Sequence, residues 1–315
     1  MAVIVCVHGI DQQQQSADEL EKEWLPALAG GIRMAGFGDL ADRLWRDRVP
    51  ENSIEARVAF YGNLFLTPDQ QGAKSAAIPQ DQAQFAETLA QEWLQRSAER
   101  ASKQKIKTLA TSELAYVRGN MGEEVQGLGN VVRSAMKSLA KISWFAPTGM
   151  AFAERFVNRA LAQVTKYLTE EETRKKAQEA VLALIGPETK VLIGHSLGSV
   201  VAYEVTHRLD RPLPLPLPLF VTLGSPLGLD SIIYPKLRPK PPAFPILVQR
   251  WMNLADRDDF IAAEPDLTKF FSKGVPQGAR FEGGYTVDNG AEPHKATFYL
   301  KKEKLAWAIA EALRG

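Results

Sequence analysis

The run Val191-Leu192-Ile193-Gly194-His195-Ser196-Leu197-Gly198-Ser199-Val200-Val201 constrains this chain more than any other: an apolar strand enters G-x-S-x-G and leaves as a helix-compatible segment. A serine at such a turn takes a strained backbone conformation that lifts its hydroxyl clear of the sheet. Gly194 and Gly198 remove the side chains that would otherwise collide there. Ser196 is therefore the candidate nucleophile.

Near the amino terminus, Val3-Ile4-Val5-Cys6-Val7 is the continuous apolar run expected of a strand buried on both faces of a parallel sheet. His8-Gly9-Ile10 follows at once. A loop of this kind after an early strand supplies one backbone N–H of an oxyanion hole, and the residue after the nucleophile supplies the other. Those donors are expected to be Ile10 and Leu197.

Serine chemistry at neutral pH needs a base for the hydroxyl proton and a carboxylate to orient that base. In this arrangement both follow the serine along the chain, so of the four histidines His8 and His195 are excluded as base by position. His207 lies on the helix leaving the turn, which carries it away from the serine. His294 remains, in a loop just before a final helix. For the acid, residues 246–253 read as a strand followed by Asp256, Asp258 and Asp259 in one short turn, and any of the three is within reach. Asp256 has the shorter spacing from the strand, Asp259 has apolar Phe260 and Ile261 to bury its flank, and Asp230 is a more distant candidate.

GHSLGSVVAYE, then TLGSPLG, then NLADRDDFIAAEP resemble the lipase-type α/β hydrolases, particularly the DDHD-domain phospholipases, over residues 190–265. The resemblance implies that Ser196 is the nucleophile. It also implies that the aspartate six places after the strand-end Asn253, which is Asp259, belongs to the functional set. Those relatives usually carry proline and valine where Phe260 and Ile261 stand, and they differ around Pro293-His294-Lys295. What carries over is an ester-cleaving serine hydrolase, with phospholipid as a hint of substrate.

Composition limits the alternatives. With 315 residues and 45% hydrophobic content the chain has enough apolar material for a sizeable core. A net charge of +1 argues against nucleic acid as a partner. The single cysteine, Cys6, sits in the first strand, so no disulfide framework is expected. No charged-then-apolar leader precedes that strand, and no apolar run approaches the roughly 18 residues of a spanning helix, so a cytoplasmic location is expected. GxxxxGK, Cys/His metal spacing and a dinucleotide fingerprint are all missing, so neither cofactor nor metal is expected.

Periodicity divides the chain into a core of residues 1–65 and 170–315 and an insertion at 66–169. Ser16 is placed to cap a helix carrying Leu20, Trp24, Leu28 and Ile32, ahead of a strand at 54–60. The insertion opens on Thr67-Pro68-Asp69, and Phe85, Leu89 and Trp93 share one helical face within it. So do Val125, Leu128, Val132, Met136 and Leu139, and later Phe156, Leu161, Val164 and Leu168. These stripes predict an all-helical cap over the open end of the sheet. Its aromatic corner at 142–152 reads as a packed hairpin or an acyl-chain lining. Lys103, Lys105, Lys107, Arg118, Arg133, Lys137 and Lys141 read as a solvated face that would also suit transient contact with an anionic lipid surface. Pro212-Leu213-Pro214-Leu215-Pro216-Leu217-Pro218 predicts an extended connector, and 296–313 a closing helix packed on the sheet through Leu300, Leu305, Trp307, Ile309 and Leu313.

The expectation is an α/β-hydrolase fold with a helical cap that cleaves a small-molecule or lipid ester through Ser196, His294 and Asp259. A thioesterase or amidase would use the same groups, and a hydrolase fold kept only for binding is the non-enzymatic alternative. The oligomeric state is not set by these features.

Overall fold

Six β-branched or aromatic segments pair into one sheet. They are β1 (Ile4–Val7), β2 (Ala56–Ala59), β3 (Val191–His195), β4 (Leu219–Leu223), β5 (Arg250–Asp256) and β6 (Arg280–Val287). A computed structural model of the protein describes residues 1–47, 49, 51–66, 80–120, 135, 137–139, 141–142, 150–209, 216–262 and 264–314, without the side chains of 80, 81, 120 and 150–156. The strand order is β2-β1-β3-β4-β5-β6 and every neighbouring pair is parallel. Ile4 stands opposite Val191 on one side and Ala56 on the other.

Strand alternation splits the core in two, because successive side chains point to opposite faces. Ile4 and Cys6 pack with α1 (Ala17–Met34), α2 (Gly38–Trp45) and the C-terminal helices, while Val5 and Val7 face the other layer. That second layer contains α3 (Gln80–Arg100), α4 (Gln104–Asn120), α5 (Met150–Thr169), α6 (Glu171–Leu182) and α7 (Leu197–Thr206). The chain leaves β1 for α1 on one face and leaves β3 for α7 on the other. Neighbouring parallel strands whose exits diverge in this way open a crevice at their carboxyl ends, the usual place for a ligand in an open α/β sheet.

Several elements match their local signals. Ser16 and Glu19 form a capping box at the start of α1, with Glu19 N–H donating to Ser16 Oγ at 3.3 Å and Ser16 N–H to Glu19 Oε2 at 2.8 Å. Leu20, Trp24, Leu28 and Ile32 are buried, as are Leu89, Trp93, Leu139, Leu161, Val164 and Leu168. Lys103, Lys105 and Lys107 are exposed. No helix among the described residues is long and apolar enough to cross a membrane. Thr67-Pro68-Asp69, Val125, Leu128, Val132, Arg133, Met136, residues 143–149, the side chain of Phe156 and residues 212–215 lie outside the described residues.

Elsewhere the structure corrects the sequence reading. The strand expected at 246–253 begins only at Arg250, because Val248 N–H turns back to Pro245 C=O at 3.0 Å and Ile246 is exposed. Asp256 is consequently the last residue of β5, not part of the following turn. The strand at 54–60 shortens to Ala56–Ala59. The closing helix is two, α8 (Ala296–Leu300) and α9 (Glu303–Arg314), broken where the chain crosses Gly31 of α1 so closely that a Cβ there would lie 2.8 Å from Leu300 O. Trp307 is 55% exposed and meets the edge of Phe37 instead of the sheet. The segment forming β6, a half-buried strand with two glycines at the sheet edge, carries no strong periodic signal.

Candidate active site

Ser196 stands at the end of β3 with φ 53° and ψ −130°, one of two non-glycine residues with positive φ among the described residues. Such a conformation costs of order 1–3 kcal/mol and persists only where the surroundings enforce it. Three close approaches enforce it here. A Cβ on Gly194 would fall 2.5 Å from Ser199 Cα, one on Gly198 would fall 2.3 Å from the carbonyl oxygens of Val7 and His8, and one on Gly9 would fall 2.6 Å from Ser196 Cβ. The elbow thus seats directly on the end of β1. Ser196 Oγ is buried and hydrogen-bonded to none of the described residues. A buried hydroxyl left so is uncommon outside sites of chemistry.

Asp259 and His294 meet after β5 and β6. His294 Nδ1 lies 2.9 Å from Asp259 Oδ1 and 2.8 Å from Oδ2, so Nδ1–H donates to the carboxylate and, in the neutral ring, Nε2 carries the lone pair. Asp259 is fully buried, which alone would raise its pKa. The charge and hydrogen bond of His294, with donations from Tyr299 O–H at 2.7 Å and Ala262 N–H at 3.2 Å, outweigh burial and hold the carboxyl below its ordinary range. Both partners lie beside Gly224 at the end of β4, where an added Cβ would come 2.6 Å from Asp259 Oδ2 and 3.2 Å from His294 Nδ1. Ser196 N–H donates to the preceding residue, Leu223, at 2.9 Å.

The three neighbouring acids have three different partners. Asp256 accepts from Asp258 N–H at 2.8 Å and from Asn289 N–H, and Asn289 Nδ2 donates to Pro293 C=O at 2.8 Å, so Asp256 shapes the loop that delivers His294. Asp258 accepts from the main chain and hydroxyl of Ser102, between α3 and α4. Arg100 Nη2 reaches Arg257 C=O at 2.9 Å. Asp230 is exposed in a turn, and His207, at the end of α7, stacks edge-on to Tyr203.

Ile10 is 5% exposed and Leu197 is the first residue of α7. Among the described residues, neither N–H donates to another protein group. The peptide joining Gly9 to Ile10 is oriented by His8, whose Nδ1–H donates to Gly9 C=O at 2.8 Å while its Nε2 accepts from Tyr61 N–H at 3.1 Å. Burial pushes His8 down to about 4, keeping it neutral in that tautomer. His195 is likewise pushed down, to about 3, by burial and by the nearby His294, and its Nε2–H donates to the main-chain carbonyl of His294 at 2.7 Å. His195, Tyr299, Asn289 and Tyr61 are functional candidates that sequence reasoning missed. No pattern of local spacing marks them, since each acts on a residue distant in sequence or through its neighbour's backbone.

Among the described residues, no group of three His, Cys, Asp or Glu side chains is disposed to hold a metal ion. The chain matches no protein-family model, no curated protein and no solved structure with which it was compared. Chemically, the arrangement offers a hydroxyl in a strained turn, an imidazole oriented by a buried carboxylate, and two N–H donors at the ends of β1 and β3.

Proposed function

We propose that this chain is a serine hydrolase of carboxylic esters, built as an α/β-hydrolase core from residues 1–65 and 170–315 with a helical cap at 66–169. The observation that carries the reading is the Asp259–His294 pair at 2.8–2.9 Å, its carboxylate fully buried, set at the end of β4, the strand next to β3 from whose end Ser196 projects. The strand order supports it too: serine after β3, acid after β5 and base after β6 follow the order that this chemistry takes on an α/β-hydrolase sheet.

In the proposed cycle His294 Nε2 takes the Ser196 proton as Oγ attacks the ester carbonyl. The carbonyl oxygen becomes an oxyanion facing the N–H groups of Ile10 and Leu197. The protonated imidazole, stabilised by ionised Asp259, returns the proton to the departing alcohol and leaves an acyl-enzyme. Water, deprotonated by the same imidazole, then releases the acid and restores Ser196.

The test is turnover of short p-nitrophenyl esters, with a fluorophosphonate probe for covalent labelling. Wild type is expected to turn over and to be labelled on Ser196, and folded Ser196→Ala to do neither. Retained turnover in Ser196→Ala would overturn the assignment, as would a wild type that is neither active nor labelled. Running acyl-CoA thioesters, amides and phospholipid vesicles beside the esters ranks the leaving groups.

A further inference from the structure

Asp11, next to Ile10, is the other non-glycine residue with positive φ, at 63°. That left-handed conformation is unfavourable for a residue with a Cβ and needs a surrounding that holds it. Two side chains of α5 do so. Arg159 Nε lies 2.7 Å from Asp11 Oδ1, and Gln163 Oε1 accepts Asp11 N–H at 2.9 Å. Gln163 Nε2 then donates to Gln13 Oε1 at 2.7 Å, and both glutamines are buried. Positions 159 and 163 are one helical turn apart, so both side chains leave the same face of α5.

Asp11 N–H belongs to the peptide that also contains Ile10 C=O. Fixing it fixes the rotation of the chain just after the proposed oxyanion donor, and Gln12 Nε2 braces the same peptide at Ile10 C=O, 3.1 Å away. His8 sets the peptide before Ile10 and Gln163 the peptide after it, which leaves the Ile10 N–H little freedom. A preorganised donor stabilises developing charge without reorganising at the moment of reaction, so its aim acts on the transition state more than on substrate binding.

We propose that Arg159 and Gln163 are positioning residues for the reaction, aiming the Ile10 N–H by holding Asp11 in its left-handed conformation. Helix α5 is then a fixed brace of the catalytic loop, and the inference rests on the serine-hydrolase reading above.

The experiment compares wild type with Gln163→Met, Arg159→Met and Arg159→Lys for kcat, KM and affinity for an alkyl boronic acid, which mimics the tetrahedral intermediate; thermal melts check that each variant is folded. Both methionine variants are expected to lose about tenfold or more in kcat, with KM within about twofold and boronate affinity falling in parallel with kcat/KM. Arg159→Lys, which keeps the charge facing Asp11, is expected to recover part of the loss. Folded methionine variants with wild-type kcat and boronate affinity would overturn the proposal. If Gln163→Met does not fold, Arg159→Gln, at a side chain 31% exposed, decides by the same criteria. A wild type with no ester turnover and no label on Ser196 would instead sink the hydrolase reading, and this inference with it.

Discussion

His195 Nε2–H donates to the main-chain carbonyl of His294 at 2.7 Å, so the residue before the candidate nucleophile holds the backbone of the candidate base. The two rings lie 4.6 Å apart between centroids. Replacing His195 by phenylalanine keeps an aromatic ring there and leaves the His294 carbonyl without this donor. We expect His195→Phe to remain folded and to lose about tenfold in kcat, the equivalent of one ordinary hydrogen bond expressed in the barrier. Wild-type kcat in this variant would remove His195 from any positioning role.

Asp259 and Asp256 should separate cleanly. In Asp259→Asn the amide no longer holds the Nδ1–H tautomer, and kcat is expected to fall on the order of 10³- to 10⁴-fold, with a loss of about 1–3 kcal/mol in stability because the amide NH2 faces donors that the carboxylate accepted. Asp256→Asn weakens the hold on Asn289 and Asp258, with an expected cost of about 1–2 kcal/mol in stability and less than about tenfold in kcat. Steady-state kinetics with urea melts on both variants checks this, and the reverse ranking in kcat would assign the acid to Asp256.

Tyr299 O–H donates to Asp259 Oδ2 at 2.7 Å and accepts from Asp256 N–H at 2.8 Å. Burial and the charge of Asp259 keep the phenol well above its ordinary pKa, so it stays a donor across the working range. Tyr299→Phe removes one of the interactions that hold Asp259 low, so the Asp259 pKa should rise, which an NMR titration of its carboxyl carbon reads directly. It also strands the buried Asp256 N–H, a loss of about 1–3 kcal/mol. A carboxyl titration superimposable on wild type would contradict the first part.

The two buried histidines make a linkage prediction. His195 titrates near 6.5 when unfolded and at about 3 when folded, so between those values the unfolded chain binds the extra proton and acid destabilises the fold. The loss begins as pH falls through about 6.5 and stops growing below about 3. Between pH 7 and 5 it amounts to about 2 kcal/mol, and His8, held at about 4, adds a term of the same sign. Glu87, raised by burial to about 7, opposes them, which makes a variant comparison the clean readout. Urea melts at the two pH values should show wild type losing about 2 kcal/mol more than His195→Gln; equal losses would refute the assignment.

Much of this molecule is written in local sequence. The continuous apolar runs of β1 and β3 mark strands buried on both faces, because only a sheet with helices on both sides can hide every side chain of such a run. The Ser16–Glu19 box, a contact within one turn of chain, starts α1 where spacing alone places it, and Gly194 and Gly198 announce the tight turn at Ser196, Gly198 because Val7 and His8 at the end of β1 come so close to it. Parallel α/β architecture follows from such signals.

Other features depend on what arrives from far away. Three aspartates crowd residues 256–259, and their side-chain chemistry is identical; only the path of a loop 35 residues downstream puts Asp259, not Asp256 or Asp258, on the His294 ring. The same holds for Tyr299 bridging two of those acids, for His195 holding a distant carbonyl, and for the break between α8 and α9 over Gly31. The edge strand β6 is defined by its partner β5 more than by its own half-buried residues. Local sequence determined the strands, the caps and the position of the turn at Ser196 because periodicity and capping demands there are met by near neighbours, whereas the strain at that serine is enforced by the end of β1 packed against the elbow. Tertiary structure alone decided which acid, which supporting hydroxyl and which backbone carbonyl complete the site, because those choices depend on distances between segments that have no contact until the chain is folded.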